Sequence, residues 1–156
     1  PWFAIHVSSL LLADASLALA CVIGITYVLL FKELKGINLG VFYSRLPSLQ
    51  ALDVMNGRAV TFGWLFLTLG LAVGAIWLIQ VQPITADPRV QAMSLFDAKI
   101  FIGFLCWVVY SFELFARRKL AWGGKRAAWL SAIGFTIVLL NFVPVGYFVT
   151  ESHNFY

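Results

Sequence analysis

Charged residues are what this sequence has least of. Only 12% of its 156 residues are Asp, Glu, Lys or Arg, while 62% are hydrophobic and the mean hydropathy is +0.90. A soluble domain carries about 25% charged residues. A water-facing surface cannot be assembled from so little charge, so a soluble globular fold is excluded. Histidine and cysteine are also scarce, at two each. Cys21 and Cys106 lie in apolar stretches without CxxC or zinc-type spacing, and read as small packed hydrophobes. The sequence holds no nucleophile–base–orienter set, no GxGxxG or Walker pattern and no metal-ligand cluster, so the usual hydrolytic machinery is not indicated and the reading leans away from an enzyme. The opening apolar segment lacks a basic n-region and a small-residue cleavage site, which argues against a signal peptide. A first residue of Pro1 in place of Met suggests a single transmembrane domain, residues 1–156, that is part of a longer chain.

Apolar runs dominate instead. They cover about residues 3–31, 59–81, 96–116 and 127–149. Each is long enough for a helix to cross about 30 Å of hydrocarbon, which takes about 20 residues at 1.5 Å apiece. None shows the strict alternation of a barrel strand. The fold expected is therefore all-α: an integral membrane bundle of four transmembrane helices. A short amphipathic helix is expected at the inner interface, where Ser48 can cap a segment with Leu49, Leu52 and Met55 at three-residue spacing. Gly70 and Gly74 make a small-xxx-small pair that lets a neighbouring backbone approach.

The net charge of +4 belongs to lipid and not to nucleic acid, because of where it falls. Nine of the 11 basic residues lie in two loops: Lys32, Lys35, Arg45 and Arg58 in one, and Arg117, Arg118, Lys119, Lys125 and Arg126 in the other. By the positive-inside rule that side is cytoplasmic, and both termini face outward. His6 and His153 then share the outer side. Imidazole is an axial ligand for haem iron and a ligand for other metals, but interfacial hydrogen bonding is the plainer role for each. Asp14 lies eight residues into the first helix from His6, about 12 Å deeper. A carboxylate there costs about 2.5–3.5 kcal/mol unless paired, protonated or wet. It is expected to face the bundle, against Lys99 or nearby hydroxyls, or to serve as a protonated structural group. Glu113 precedes Arg117 by four residues, the favourable order for a helical ion pair.

Several segments, in order, resemble the core of the cytochrome c assembly family (CcsA, CcmC and the HemX-like proteins). They are His6-Val7 opening a long helix, Leu46-Pro47-Ser48-Leu49-Gln50-Ala51-Leu52-Asp53, the run from Gly63 to Trp77, Gly123-Gly124-Lys125-Arg126, and the ending Ser152-His153-Asn154-Phe155-Tyr156. The resemblance implies haem handling at the outer face of a bacterial inner or thylakoid-type membrane, with His6 and His153 as axial ligands. Asp97, Lys99 and Trp77 would then be haem surroundings, with Lys99 free to meet a propionate. It also implies assembly components or other membrane subunits as partners, besides the lipid bilayer. The family's tryptophan-rich outer segment ends in WDPKE; here the matching positions read Phe96-Asp97-Ala98-Lys99-Ile100. A further family histidine, near the inner end of the third helix, matches Phe115. These departures leave open an alternative: a membrane subunit of a respiratory or photosynthetic complex, holding a b-type haem or serving as a cofactor-free anchor.

Overall fold

The computed structural model describes residues 2–36, 40, 44–81, 83–86, 88 and 98–140. The protein is all-α, with no strand among these residues. Four helices follow one another: α1 (Trp2–Lys35), α2 (Leu49–Val81), α3 (Ala98–Lys119) and α4 (Lys125–Leu140). The first three are long and apolar enough to cross a membrane. The 16 described residues of α4 rise about 24 Å, and the rest of the fourth span expected from the sequence lies outside the described residues.

The exterior is as apolar as the interior. Leu11, Val22, Phe62, Ile79 and Phe101 are all at least 58% exposed, an apolar girdle that suits the hydrocarbon of a membrane or the apolar face of another membrane helix. The core is made of small and medium side chains: Ala13, Leu17 and Ala20 from α1, Ala59, Val60 and Leu67 from α2, Cys106, Tyr110 and Leu114 from α3, and Val138 from α4. Both cysteines are free, and Cys106 is buried.

Helices α1 and α2 form the most extensive pair. Glycines on α2 admit side chains of α1: a Cβ at Gly63 would meet Leu17, one at Gly70 would meet Leu10, and one at Gly74 would meet the His6 ring. The Gly70–Gly74 pair is thus a contact site for α1, as its spacing suggests. Farther along α1, Gly24 lies directly against the backbone of Ala128 on α4, and a Cβ there would come within 2.9 Å of the Ala128 carbonyl oxygen.

One expectation needs correction. The segment after Ser48 is not a separate amphipathic helix at the interface. It is the first part of α2, which runs unbroken for 33 residues. Ser48 caps it as expected, accepting a hydrogen bond from the Ala51 amide at 3.2 Å. With no proline between Pro47 and Pro83, nothing interrupts the helix. Leu52 packs against Ile23 and Leu30 of α1, and Asp53 and Asn56 after it find partners inside the bundle.

Candidate functional site

The two ends of the bundle differ in chemistry. At one end the basic loops come together: the Lys125 ammonium lies 5.6 Å from the Phe31 ring centroid, and Asp53 near the start of α2 pairs with Arg117 near the end of α3. At the opposite end, His6 in the first turns of α1 faces the last third of α2. Its Nδ1–H donates to the carbonyl oxygen of Gly70 at 2.7 Å. A carbonyl can only accept, so this bond puts the proton on Nδ1. In the neutral ring it leaves Nε2 with a free lone pair, and Nε2 has no partner among the described residues. A ligating histidine is typically held in this way, with its other nitrogen donating to a backbone carbonyl. The missing side chain at Gly74 makes room for the ring. Trp77, one turn further along α2, packs on Phe3, with ring centroids 5.7 Å apart at 51°. An imidazole and two large aromatics therefore occupy the same end.

Of the other residues singled out in the sequence, Lys99 falls in the first turn of α3, while Asp97 and His153 lie outside the described residues. Asp14 is half-buried midway along α1, and it has no hydrogen bond or ion pair among the described residues. The pairing with hydroxyl groups expected for it is not formed there.

The basic end holds a polar cluster that joins all four helices. The Arg117 guanidinium donates through Nη1 to Asp53 Oδ1 at 3.0 Å, through Nε to Glu113 Oε1 at 3.3 Å, and through Nη2 to Asn56 Oδ1. Asn56 Nδ2 donates to the Ala20 carbonyl at 2.7 Å and to Ser131 Oγ at 3.1 Å. The Ser131 hydroxyl lies 2.8 Å from Glu113 Oε1. Asp53 Oδ1 also accepts the Gly124 amide at 2.9 Å, which fastens the turn between α3 and α4 to α2. That turn depends on Gly124, whose φ of 60° an L side chain rarely adopts. Glu113 and Ser131 are fully buried and Asn56 nearly so. The second carboxylate oxygen of Glu113 has no described partner.

The sequence marks one edge of this cluster, the Glu113–Arg117 pair, by its helical i,i+4 spacing. The structure forms that pair, but turns it inward. The signal for the rest was faint yet present: Asp53 and Asn56 are three residues apart, hence on one face of a helix, at the same end of the bundle as Arg117.

A family profile described as Cytochrome C assembly protein matches residues 1–152. Among curated proteins, "Cytochrome c biogenesis protein CcsA" of Guillardia theta is 26% identical over 169 residues, covering 99% of this chain and 54% of that protein. The protein of the same name from Chlamydomonas reinhardtii is 26% identical over 154 residues, covering 99% of this chain and 40% of that one. One from Prochlorococcus marinus is 31% identical over 106 residues, covering 68% of this chain and 31% of that one. The chain thus spans about half the length, or less, of the curated relatives it matches. No solved structure matches it. With the match running nearly end to end, and with long apolar helices underneath it, the chain belongs to the cytochrome c assembly protein family.

Proposed function

We propose that this chain binds haem at the non-cytoplasmic end of a four-span membrane bundle, with His6 and His153 as the two axial ligands. The observation that carries the reading is the Nδ1–H bond from His6 to the Gly70 carbonyl, which orients the ring and reserves Nε2 for a metal. The donor chemistry fits haem, since neutral imidazole is among its ordinary axial ligands. Bound haem would supply a redox-active iron. The protein's own part is to fix the imidazole tautomer, to offer Trp77 and Phe3 as an apolar wall, and to keep the site at one membrane face. Asp97 and Lys99 are assigned to the same neighbourhood, Lys99 as a partner for a propionate. The curated relatives are named for cytochrome c biogenesis, which makes haem handling during assembly the natural setting. Assembly components embedded in the same membrane are then the partners.

A second reading rests on two departures from the family, Phe96-Asp97-Ala98-Lys99-Ile100 in place of WDPKE and Phe115 in place of a histidine. With both features lost the chain would retain haem as an electron carrier in a larger membrane complex. Absorption spectra of the purified protein, oxidised and reduced, test the shared claim. A Soret band with sharp α and β bands on reduction is expected, and His6→Ala and His153→Ala should each abolish the low-spin form. A protein without haem, or one whose spectrum ignores both substitutions, overturns the assignment. Transfer of the haem to an apocytochrome separates assembly from electron carriage.

A further inference from the structure

A groove of about 290 Å³ opens between α2 and α3 at the basic end, lined by Trp64, Ser111, Leu114, Phe115, Arg118 and Lys119. It lies apart from His6 and does not depend on the haem reading. Its walls are graded. Arg118 and Lys119 are exposed at the end of α3, and neither pairs with a described side chain, whereas the adjacent Arg117 is spent inside the bundle. Two turns deeper, Ser111 Oγ accepts the Trp64 Nε1–H at 2.7 Å. The hydroxyls of Ser8, Thr26, Thr61, Thr68 and Thr136 each donate to the carbonyl one helical turn back. The Ser111 hydroxyl donates to nothing described, so its hydrogen is available to an acceptor in the groove. The Trp64 and Phe115 rings and Leu114 complete an apolar bed. Trp64 is held in place by stacking on Trp107, with centroids 6.2 Å apart.

We infer that this groove is a specific site for one anionic phospholipid of the cytoplasmic leaflet. The phosphate would lie against Arg118 and Lys119, a glycerol ester oxygen would accept from Ser111, and an acyl chain would lie along Trp64, Leu114 and Phe115. Charge complementarity selects the headgroup, because two unpaired cations at the level of the interface attract anionic lipid. The positive-inside rule accounts for the charges alone. It requires neither a groove beneath them nor a free hydroxyl within it.

Native mass spectrometry of the delipidated chain, with phosphatidylglycerol or phosphatidylcholine added, tests the inference. One phosphatidylglycerol should stay bound under activation that removes phosphatidylcholine. R118Q/K119Q should weaken it by about tenfold or more, while K32Q/K35Q, with the same loss of charge, should change it by less than about twofold. Equal retention of the two lipids, or equal effects of the two double variants, overturns the site in favour of general charge. Displacement of the lipid by inorganic phosphate makes it a phosphate site, and one-for-one displacement by haemin makes it a haem site; either result also overturns it. A second measurement does not need the charge variants. Brominated phosphatidylglycerol should quench tryptophan emission more than brominated phosphatidylcholine, and Trp64→Phe should remove the excess. A persistent excess in that variant refutes the placement.

Discussion

At the scale of single residues, Arg117 carries the most consequence. Its guanidinium is shared by Asp53, Asn56 and Glu113, and Glu113 is fully buried. Removing the cation leaves the buried Glu113 carboxyl with the Ser131 hydroxyl and no opposite charge, and Asp53 with the Gly124 amide alone. Arg117→Ala should therefore lower the unfolding free energy by about 3–5 kcal/mol, the usual cost of breaking a buried ion pair from one side. Neutralising the set together, as D53N/E113Q/R117Q, should recover most of that loss, because no unpaired charge remains. Thermal unfolding in detergent measures both; a triple variant no more stable than Arg117→Ala would show that hydrogen-bond geometry, not charge balance, governs the cluster. At the other end, a Cβ at position 74 would lie 2.5 Å from Cε1 and Nδ1 of His6. Gly74→Ala must push the ring aside and strain its bond to Gly70. The expected result is haem content reduced toward that of His6→Ala at unchanged helicity. Gly103→Ala, where Leu71 stands at an ordinary 3.5 Å, should be silent in both readouts.

At the scale of helices, close approach is set by what a new methyl group would meet. At Gly24 it would meet the Ala128 backbone, which can yield only if α1 and α4 separate; at Gly63 it would meet Cδ2 and Cγ of the buried Leu17, a side chain that can shift without moving a helix. Gly24→Ala should cost about 1–3 kcal/mol, and Gly63→Ala should cost less, in thermal unfolding. The reverse order would mean that the Leu17 pocket is the stiffer of the two. The helices themselves were legible because hydropathy over about 20 residues is a strong signal. At the basic end α1, α3 and α4 run beyond the apolar runs by only a few residues, mostly charged; the opposite ends of the third and fourth runs lie outside the described residues. Helix α2 runs well beyond its own apolar run at the basic end. There the segment 49–58 looked like an interfacial helix, since Leu49, Leu52 and Met55 recur on one face beside Asp53, Asn56 and Arg58. Periodicity cannot tell a helix lying on lipid from one packing upright against α1. What decided it was long-range: Asp53 and Asn56 reach Arg117, Gly124 and Ala20 only from a continuous α2. The seat of His6 was half legible, because Gly70 and Gly74 marked a close contact without naming the side chain it receives.

For the whole molecule, the distribution of polar groups constrains how the bundle sits in its membrane. The exterior of the spans is apolar, the buried polar cluster lies near one end, and the loop residues beyond that end are basic. An ion-rich end of this kind is stable only near the headgroups, where the long basic side chains reach water, and the cytoplasmic leaflet is the one whose surface potential attracts them. The proposed function puts the imidazole of His6 at the opposite, non-cytoplasmic face. Single cysteines at Ser48, Lys119 and Ile84, in a background with Cys21 and Cys106 replaced by alanine, test the arrangement directly. Ser48, Lys119 and Ile84 are all exposed, and Ile84 most of all at 83%. In sealed right-side-out vesicles a membrane-impermeant maleimide should label the Ile84→Cys variant at once, and label Ser48→Cys and Lys119→Cys only after the membrane is opened. If Ser48→Cys and Lys119→Cys label on opposite sides, the packing of Asp53 on Arg117 cannot exist in the membrane. If the two label together from outside, the bundle survives but is inverted, and haem ligation by His6 moves to the cytoplasmic face. The two failures are separable because the first breaks a contact within the fold, while the second only turns the fold over.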